Sequence, residues 1–363
     1  MKNKFKKLKE IFQDAEENVL LKDYTTFKIG GPAKYFLRVK TRQDLCLAVK
    51  AAKKLRLLFF ILGAGSNILV SDKGFDGLVI KNEISFIEIL RESGQLDLSE
   101  IKKIKRSLIK TKPVSKIDTL SFSDLDYEEK GKPVLVRAGS GISLGYLLDY
   151  TLKKNITGLQ WFAGIPGTVG GAVFVNAHGG TKYISDYVIG ATLVSQSGEL
   201  KKVDNSYFEF SYDKSILGKT KDIVIDVIFR LYKGNGEKAE KVAKEWLRRK
   251  CKIQERKNTP GCIFKNIHLS KKQIENLKKN KIGLTPEIIK NKILPAGWLI
   301  DRMGFRGKKI GQAQVSKKHA NFIINLGQAK AENVLSLISL IKKKAKEKYN
   351  IQLEQEIGFV GFL

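Results

Sequence analysis

Cysteine and histidine are scarce in this 363-residue chain, at three each. Cys46, Cys251 and Cys262 contain no CxxC pair, and His178, His268 and His319 lie far apart. The sequence therefore predicts a reducing compartment, with neither a disulfide framework nor a zinc site. No apolar run approaches the roughly 20 residues that a membrane span needs. The best stretch, residues 57–70, is interrupted by Gly63, Gly65, Ser66 and Asn67. The basic N-terminus reaches Asp14, Glu16 and Glu17 without a continuous apolar segment or a small-residue cleavage site, so no secretory signal is predicted and a cytoplasmic location is expected. Internal repeats are absent too.

The charge is one-sided, with a formal net of +30. Such an excess raises nucleic acid or an anionic small molecule as partners. Lysine, however, greatly outnumbers arginine and is spread over helical faces at residues 238–252 and 342–348, without aromatic interleaving or an arginine-rich stripe. Solubility and compositional bias explain that pattern better than a nucleic-acid surface does. With 42% hydrophobic and 29% charged residues, the chain reads as a globular protein long enough for two or three domains.

What it has in quantity is glycine, concentrated in three turns beside apolar strands. Residues 158–180 carry Gly164, Gly167, Gly170 and Gly171 among Ala163, Ile165, Pro166, Thr168 and Val169, at neither helical nor strand period. Glycine so dense predicts positive φ or close approach of backbone to a ligand, and excludes a regular helix or strand there. The second turn, Gly63-Ala64-Gly65-Ser66-Asn67, lies between predicted strands at 58–62 and 68–71; without a following helix and a third glycine it is not a Rossmann loop. The third, Ala138-Gly139-Ser-Gly141, follows a strand and opens a helix at 144–154 whose free N–H groups are expected to face the same ligand. Three such turns suit a pyrophosphate held by backbone N–H groups.

The remaining elements are a lead-in helix within 1–20, a strand in 23–33 ending at Gly30-Gly-Pro, and a helix capped by Thr41. Strands are expected near 188–194, 200–203 and 223–231, and long helices at 237–252 and 331–349. Residues 89–132 change character, from strongly basic to mixed and acidic, and read as a surface insertion. The later half holds a polar set: Cys262 and Asn266 on one loop, Gln312 and Asn321 on others, and Glu356 near the end. On chemistry alone Cys262 is open between a small buried hydrophobe and a nucleophile or proton donor.

Five ordered motifs give these residues a context. Thr25-Thr-Phe-Lys-Ile-Gly-Gly-Pro-Ala33, Leu62-Gly-Ala-Gly-Ser-Asn-Ile-Leu-Val70, Ala163-Gly-Ile-Pro-Gly-Thr-Val-Gly-Gly-Ala172, Gly261-Cys-Ile-Phe-Lys-Asn266 and His319-Ala-Asn-Phe-Ile-Ile-Asn325 resemble the UDP-N-acetylenolpyruvoylglucosamine reductase (MurB) family, in its shorter type II branch with insertions near 89–132 and 267–294. The resemblance implies an α+β fold: two α/β FAD-binding subdomains of the PCMH/VAO-like kind, at 1–85 (joined by 350–363) and 86–232, and a third, UDP-sugar-binding lobe at 233–349. It implies NADPH-dependent, FAD-mediated reduction of UDP-N-acetylglucosamine enolpyruvate to UDP-N-acetylmuramate in peptidoglycan precursor synthesis. The expected partner is the UDP-sugar, with no nucleic acid, no membrane, no metal, and a monomeric chain.

Carried over by position, the cofactor would contact Gly30, Gly63, Ala64, Gly65, Ser66, Asn67, Ala138, Gly139, Gly164, Ile165, Pro166, Gly167, Thr168, Gly170 and Gly171. Tyr212, Lys265, Asn266 and Gln312 would contact substrate, and Arg248 or Arg249 is a further candidate for the diphosphate. The proton donor falls on Cys262, where most relatives have serine, and the catalytic glutamate on Glu356, with Glu354 its rival. A thiol, at about 8.5, is a more acidic donor than an alcohol. Two departures stand out. Tyr212-Asp213-Lys214-Ser215 carries Asp213 where the family pattern has arginine, so Lys214 is expected to supply the missing cation. His178 replaces a glycine and is expected to be a tolerated surface turn. The alternatives are a divergent flavin oxidoreductase of the same fold, a homologue weakened by Asp213, or a basic RNA- or polymer-binding protein that would explain the charge but not the three turns.

Overall fold

Strand Pro32–Val39 shows how the first part of the chain is layered. Tyr35, Leu37 and Val39 pack with Leu45, Ala48 and Val49 of helix Arg42–Lys54, whereas Phe36 faces the other way onto Leu62, Val70, Val79 and Val360. Burial on both faces at period two makes this a central strand. It lies in a four-stranded sheet ordered Glu16–Leu20, Pro32–Val39, Phe75–Asn82, Phe59–Leu62, antiparallel at the first pair and parallel in the rest. Thr41 caps the helix by accepting from the Asp44 amide at 3.1 Å, as its sequence predicts. The computed structural model describes residues 2–90, 131–180, 182–255, 258–279 and 282–362.

The second sheet is antiparallel throughout. It runs Leu200–Asp204, Val188–Val194, Ile223–Lys233, Pro133–Gly139, Ile87–Leu90, with Ile156–Thr157 added at the end of Ile223–Lys233. Helix Leu144–Lys153 and helix Gly236–Ile253 cover it, burying Leu147, Leu148, Ala239, Ala243 and Trp246 in one core. Asp226 is buried but fully answered: Arg137 holds it bidentately at 3.0 and 2.9 Å and Thr192 donates at 3.0 Å. The predicted insertion at 89–132 lies, for residues 91–130, outside the described residues; the flanking strands Ile87–Leu90 and Pro133–Gly139 are antiparallel neighbours.

The later part packs around helix Ala331–Tyr349, whose Val334, Leu337, Ile338, Ile341, Ala345 and Tyr349 form one buried stripe. Against it stand the three-stranded sheet Lys309–Ile310, Ala313–Val315, Ile323–Asn325 and helix Ala296–Arg302. The same core takes in Phe27, Ile29 and Leu69 from the beginning of the chain. The terminal strand Gly358–Val360 returns to pair in parallel with Ile68–Val70.

Two expectations about local structure are corrected. Residues expected as a strand before Gly30 instead form a 3₁₀ helix, Leu21–Tyr24, followed by a turn in which Thr25 Oγ1 donates to the Lys22 and Ile29 carbonyls. The glycine stretch does contain a short helix, Val169–Phe174, despite Gly170 and Gly171. Thr168 caps it through the Gly171 amide, and burial of Val169, Ala172 and Val173 outweighs the glycine penalty of roughly 1 kcal/mol each. The lysine-rich region 267–294, for which no local structure was expected, holds two helices, Lys271–Lys279 and Pro286–Asn291, anchored by Ile274, Leu277 and Ile288 in the core around helix Ala331–Tyr349.

Candidate active site

The three glycine turns converge. Ser66 Oγ donates to the Pro166 carbonyl at 2.8 Å, and Lys81 Nζ donates to the Gly63 carbonyl at 2.9 Å from beneath the loop. Leu144 N donates to Gly167 O, Val169 N to Ile142 O and Gly170 N to Ser140 O, at 2.8–3.0 Å. The N-terminus of helix Leu144–Lys153 is thus partly closed by protein, since the Tyr146 amide is also taken by Ser143 Oγ, and does not present all its amides to a ligand. Burial pushes the Lys81 ammonium below its ordinary value, with Glu83 opposing. A strand position gave no sequence signal for that role.

The glycines divide by what surrounds them. Gly65 sits at φ 62 with the Tyr24 carbonyl 2.2 Å from where a Cβ would stand, so packing demands it. Gly167, at φ 154, would aim a Cβ into open space with Ser66 Oγ, at 3.6 Å, the one atom nearby. The unfilled face of the loops is therefore at Gly167.

Opposite that face, a backbone zipper holds the segment around Cys262. Ile263 N donates to Asn321 O and Glu356 N to Ile263 O, both at 2.8 Å, while Lys265 N donates to Glu354 O at 2.9 Å. Asn321, 3% exposed, mimics a strand partner: its Nδ2 donates to Phe264 O at 2.8 Å and its Oδ1 accepts from Phe264 N at 3.0 Å. Asn67, on the glycine loop, reaches across to the Glu356 carbonyl at 3.5 Å. These bonds bring the proton-donor candidate and the glutamate candidate to the mouth of the cradle.

Electrostatics separates the two glutamates. Glu354 is exposed and pairs with Lys265 at 3.2 Å and Lys214 at 3.6 Å; burial raises its carboxyl, but these cations together hold it below the ordinary range. The Glu356 carboxyl is pushed well above its ordinary value, by burial first and then by the negative charge of Asp213, against the pull of Lys265. Tyr212 lies among the same groups. Burial, then Asp213, Glu356 and Cys262, raise its phenol.

Ser211 and Lys214 exchange both backbone hydrogen bonds, at 3.0 and 3.2 Å, making a two-residue turn that presents Tyr212 and Asp213, the latter at φ 51. Tyr212 stacks on His178 with centroids 5.8 Å apart and meets His268 edge-on at 6.3 Å. Asp213 Oδ1 lies 3.6 Å from His178 Nε2. His178 is exposed, as expected, and stands in the short strand His178–Gly179, paired with Lys182–Tyr183, beside the Tyr212–Asp213 turn. Burial raises the Asp213 carboxyl, opposed by His178, Lys265 and the Tyr212 hydroxyl.

The chain is 31% identical over 347 residues to the UDP-N-acetylenolpyruvoylglucosamine reductase of Protochlamydia amoebophila, covering 96% of this chain and 94% of that one. It belongs to the UDP-N-acetylenolpyruvoylglucosamine reductase family. A Bacillus cereus member is 32% identical over 95% of this chain and 94% of its own length. The crystal structure of the family's enzyme from Thermus caldophilus superposes with a TM-score of 0.66 at 29% identity, covering 95% of this chain and 98% of that one. The family's C-terminal domain model matches residues 253–360, and an FAD binding domain model matches residues 116–204. The chain is thus an α+β flavin oxidoreductase of this reductase family.

Within that family frame, the other expected site residues are dispersed. Lys214 is directed to Glu354 on the rim, and the cation that bears on Glu356 is Lys265. Asn266 Oδ1 accepts from the Ala296 amide at 3.1 Å, at the start of helix Ala296–Arg302. Gln312 is exposed in the turn between Lys309–Ile310 and Ala313–Val315 and shares no hydrogen bond with the Cys262 cluster among the described residues. Arg248 and Arg249 both bond to Glu245 on their own helix. Ala138 is fully buried in the sheet core, and a Cβ on Gly139 would stand 2.5 Å from the Ile84 carbonyl.

Proposed function

We propose that this chain reduces UDP-N-acetylglucosamine enolpyruvate to UDP-N-acetylmuramate, with FAD as bound cofactor and NADPH as reductant, in the synthesis of peptidoglycan precursors. The observation that carries the reading is the zipper that sets Cys262, Lys265 and Glu356 across from the Gly63–Asn67 turn. FAD would be held by the turns: Gly65, Ser66 and Asn67 on one side, Gly167, Thr168 and Gly171 on the other, with Gly30, Gly63, Ala64, Ile165, Pro166 and Gly164 shaping them. The open space at Gly167 fits such a group. When bound, FAD supplies hydride transfer between the nicotinamide and the enolpyruvyl carbon.

The protein's own part is binding and proton control. Lys265, 12% exposed, offers a fixed positive charge to the anionic substrate, with Tyr212 beside Glu356 and Cys262. Cys262 holds the proton that is given to the carbon next to the carboxylate. Glu356 keeps a proton above the ordinary carboxylate range, so it donates a hydrogen bond to developing negative charge instead of repelling it. Extraction of flavin from the purified protein, followed by anaerobic mixing of the NADPH-reduced enzyme with UDP-N-acetylglucosamine enolpyruvate, tests the reading. Rapid reoxidation with formation of the lactyl ether is expected; flavin that stays reduced sinks it.

A further inference from the structure

The aspartate in the Tyr212–Ser215 turn and the histidine in the glycine-rich stretch form one unit. Asn176, 1% exposed, donates from Nδ2 to the Ser211 carbonyl at 2.9 Å, and Ser215 Oγ donates to the Phe174 carbonyl at 2.7 Å. These bonds lash strand His178–Gly179 to the Ser211–Lys214 turn. The Asp213 side chain is 8% exposed, and its Oδ2 is buried without a hydrogen-bond partner among the described residues. A carboxyl buried in this way calls for a polar neighbour. His178 is in reach at 3.6 Å, stacked on Tyr212 and tilted against Tyr183, which fixes the plane of its ring.

We propose that His178, oriented by Asp213, is the hydrogen-bond donor that faces the negative charge developing on the three-carbon substituent of the substrate, with Asp213 as its positioning residue. The proposal rests on the reductase reading above. Hydride addition at the methylene carbon moves the C=C electron pair onto the neighbouring carbon and its carboxylate. That charge is discharged when Cys262 gives its proton to the same carbon. His178 exchanges no proton in this step: Nε2 lies 3.6 Å from Asp213 Oδ1, which orients the ring. The groups facing His178 are Asp213 and Tyr212 from the turn and Tyr183 from strand Lys182–Tyr183. Beyond them lie Lys265, Glu354, Glu356 and Cys262, all named in the electrostatics of Asp213 or Tyr212.

The test is transient kinetics on the holoenzyme of wild type, His178→Gln, His178→Arg and Asp213→Asn, with the two half-reactions followed separately. His178→Gln should slow reoxidation by the enolpyruvyl substrate by about 10²-fold, the loss typical of one removed charge-stabilising donor. FAD content and reduction by NADPH should stay within about twofold of wild type, and binding of UDP-N-acetylmuramate should weaken by about tenfold. His178→Arg should recover both the rate and the product affinity, because guanidinium presents N–H donors and a fixed positive charge in the same place. Asp213→Asn, which loosens the orientation of the ring, should slow the same half-reaction by less than His178→Gln does. Reoxidation of His178→Gln at near the wild-type rate overturns the proposal while leaving the reductase reading intact. So does a loss that His178→Arg does not rescue. Wild-type flavin that the substrate cannot reoxidise overturns the reading itself.

Discussion

Asn321→Ala tests whether the segment bearing Cys262 is held in place by an amide acting as a strand partner. The substitution removes two bonds, Nδ2 to Phe264 O at 2.8 Å and Phe264 N to Oδ1 at 3.0 Å. Both Phe264 backbone groups are then left in a site where that residue is 1% exposed. At roughly 1 to 3 kcal/mol per orphaned buried group, the loss is about 2 to 6 kcal/mol. With a urea slope of about 2 kcal/mol/M, the unfolding midpoint should fall by about 1 to 3 M. Trp298, in helix Ala296–Arg302 of the same lobe, provides a fluorescence probe. Turnover should fall further than stability alone accounts for, because a shift of about 1 Å in a reacting group costs on the order of 10²-fold. Asn321→Asp keeps the acceptor for Phe264 N but sets a carboxylate oxygen against Phe264 O, so it should recover less than half of the loss. A midpoint shift under about 0.3 M in Asn321→Ala, with normal turnover, refutes the reasoning.

Two further substitutions probe the cradle and the acid. Glu356 titrates in the native state well above its ordinary 4.5, so the native chain holds a proton that the unfolded chain has released. Its contribution to stability is full below about pH 4.5 and is lost as pH rises through the raised native value. Glu356→Gln, which does not titrate, should gain on wild type in urea unfolding between pH 5 and pH 8; a constant difference across that span would falsify the assignment. Gly167→Val places a branched side chain at φ 154 and into the open face of the loops, so the purified variant should lose its flavin, read from the flavin-to-protein absorbance ratio. Gly218→Ala, in helix Leu217–Thr220 with no atom from beyond its own helix within 4 Å of the added carbon among the described residues, should keep it.

Much of the fold was legible because it rests on local periodicity. Helices Arg42–Lys54, Leu144–Lys153, Gly236–Ile253 and Ala331–Tyr349 stand where apolar spacing and capping residues put them. Helix Val169–Phe174 was not legible, because a cap and a buried face override glycine's propensity and neither is visible in a glycine count. The same blindness affected the reason for the glycines: Gly65 and Gly139 answer to neighbouring backbone, and Gly167 alone of these three opens onto the cradle. In the His319–Asn325 motif, Asn321 and Asn325 were visible as polar residues in an apolar run. Their tasks depend on distant chain: Asn325 Nδ2 donates to the Phe27 and Lys28 carbonyls, nearly 300 positions away. The His178–Asp213 pair was illegible for the same reason, since the Asn176–Ser211 bond that registers the two segments spans 35 residues.

The end of the chain ties these distant pieces into one mechanical unit. Gln355 bridges to Phe264, Glu356 N binds Ile263 O, Gly358 N binds Asn67 O, and Gly358–Val360 then pairs with Ile68–Val70. The residues that hold the acid beside Cys262 are therefore contiguous with those that brace the Gly63–Asn67 turn. On the proposed function, a cofactor that orders this turn should tighten the same ladder that carries Cys262 and Glu356, so its binding and the placement of these two residues should be linked through a few shared backbone bonds. A chain detached at Gly358 should lose both together, and a variant weakened only at Asn321 should keep the turn while losing the register of Cys262.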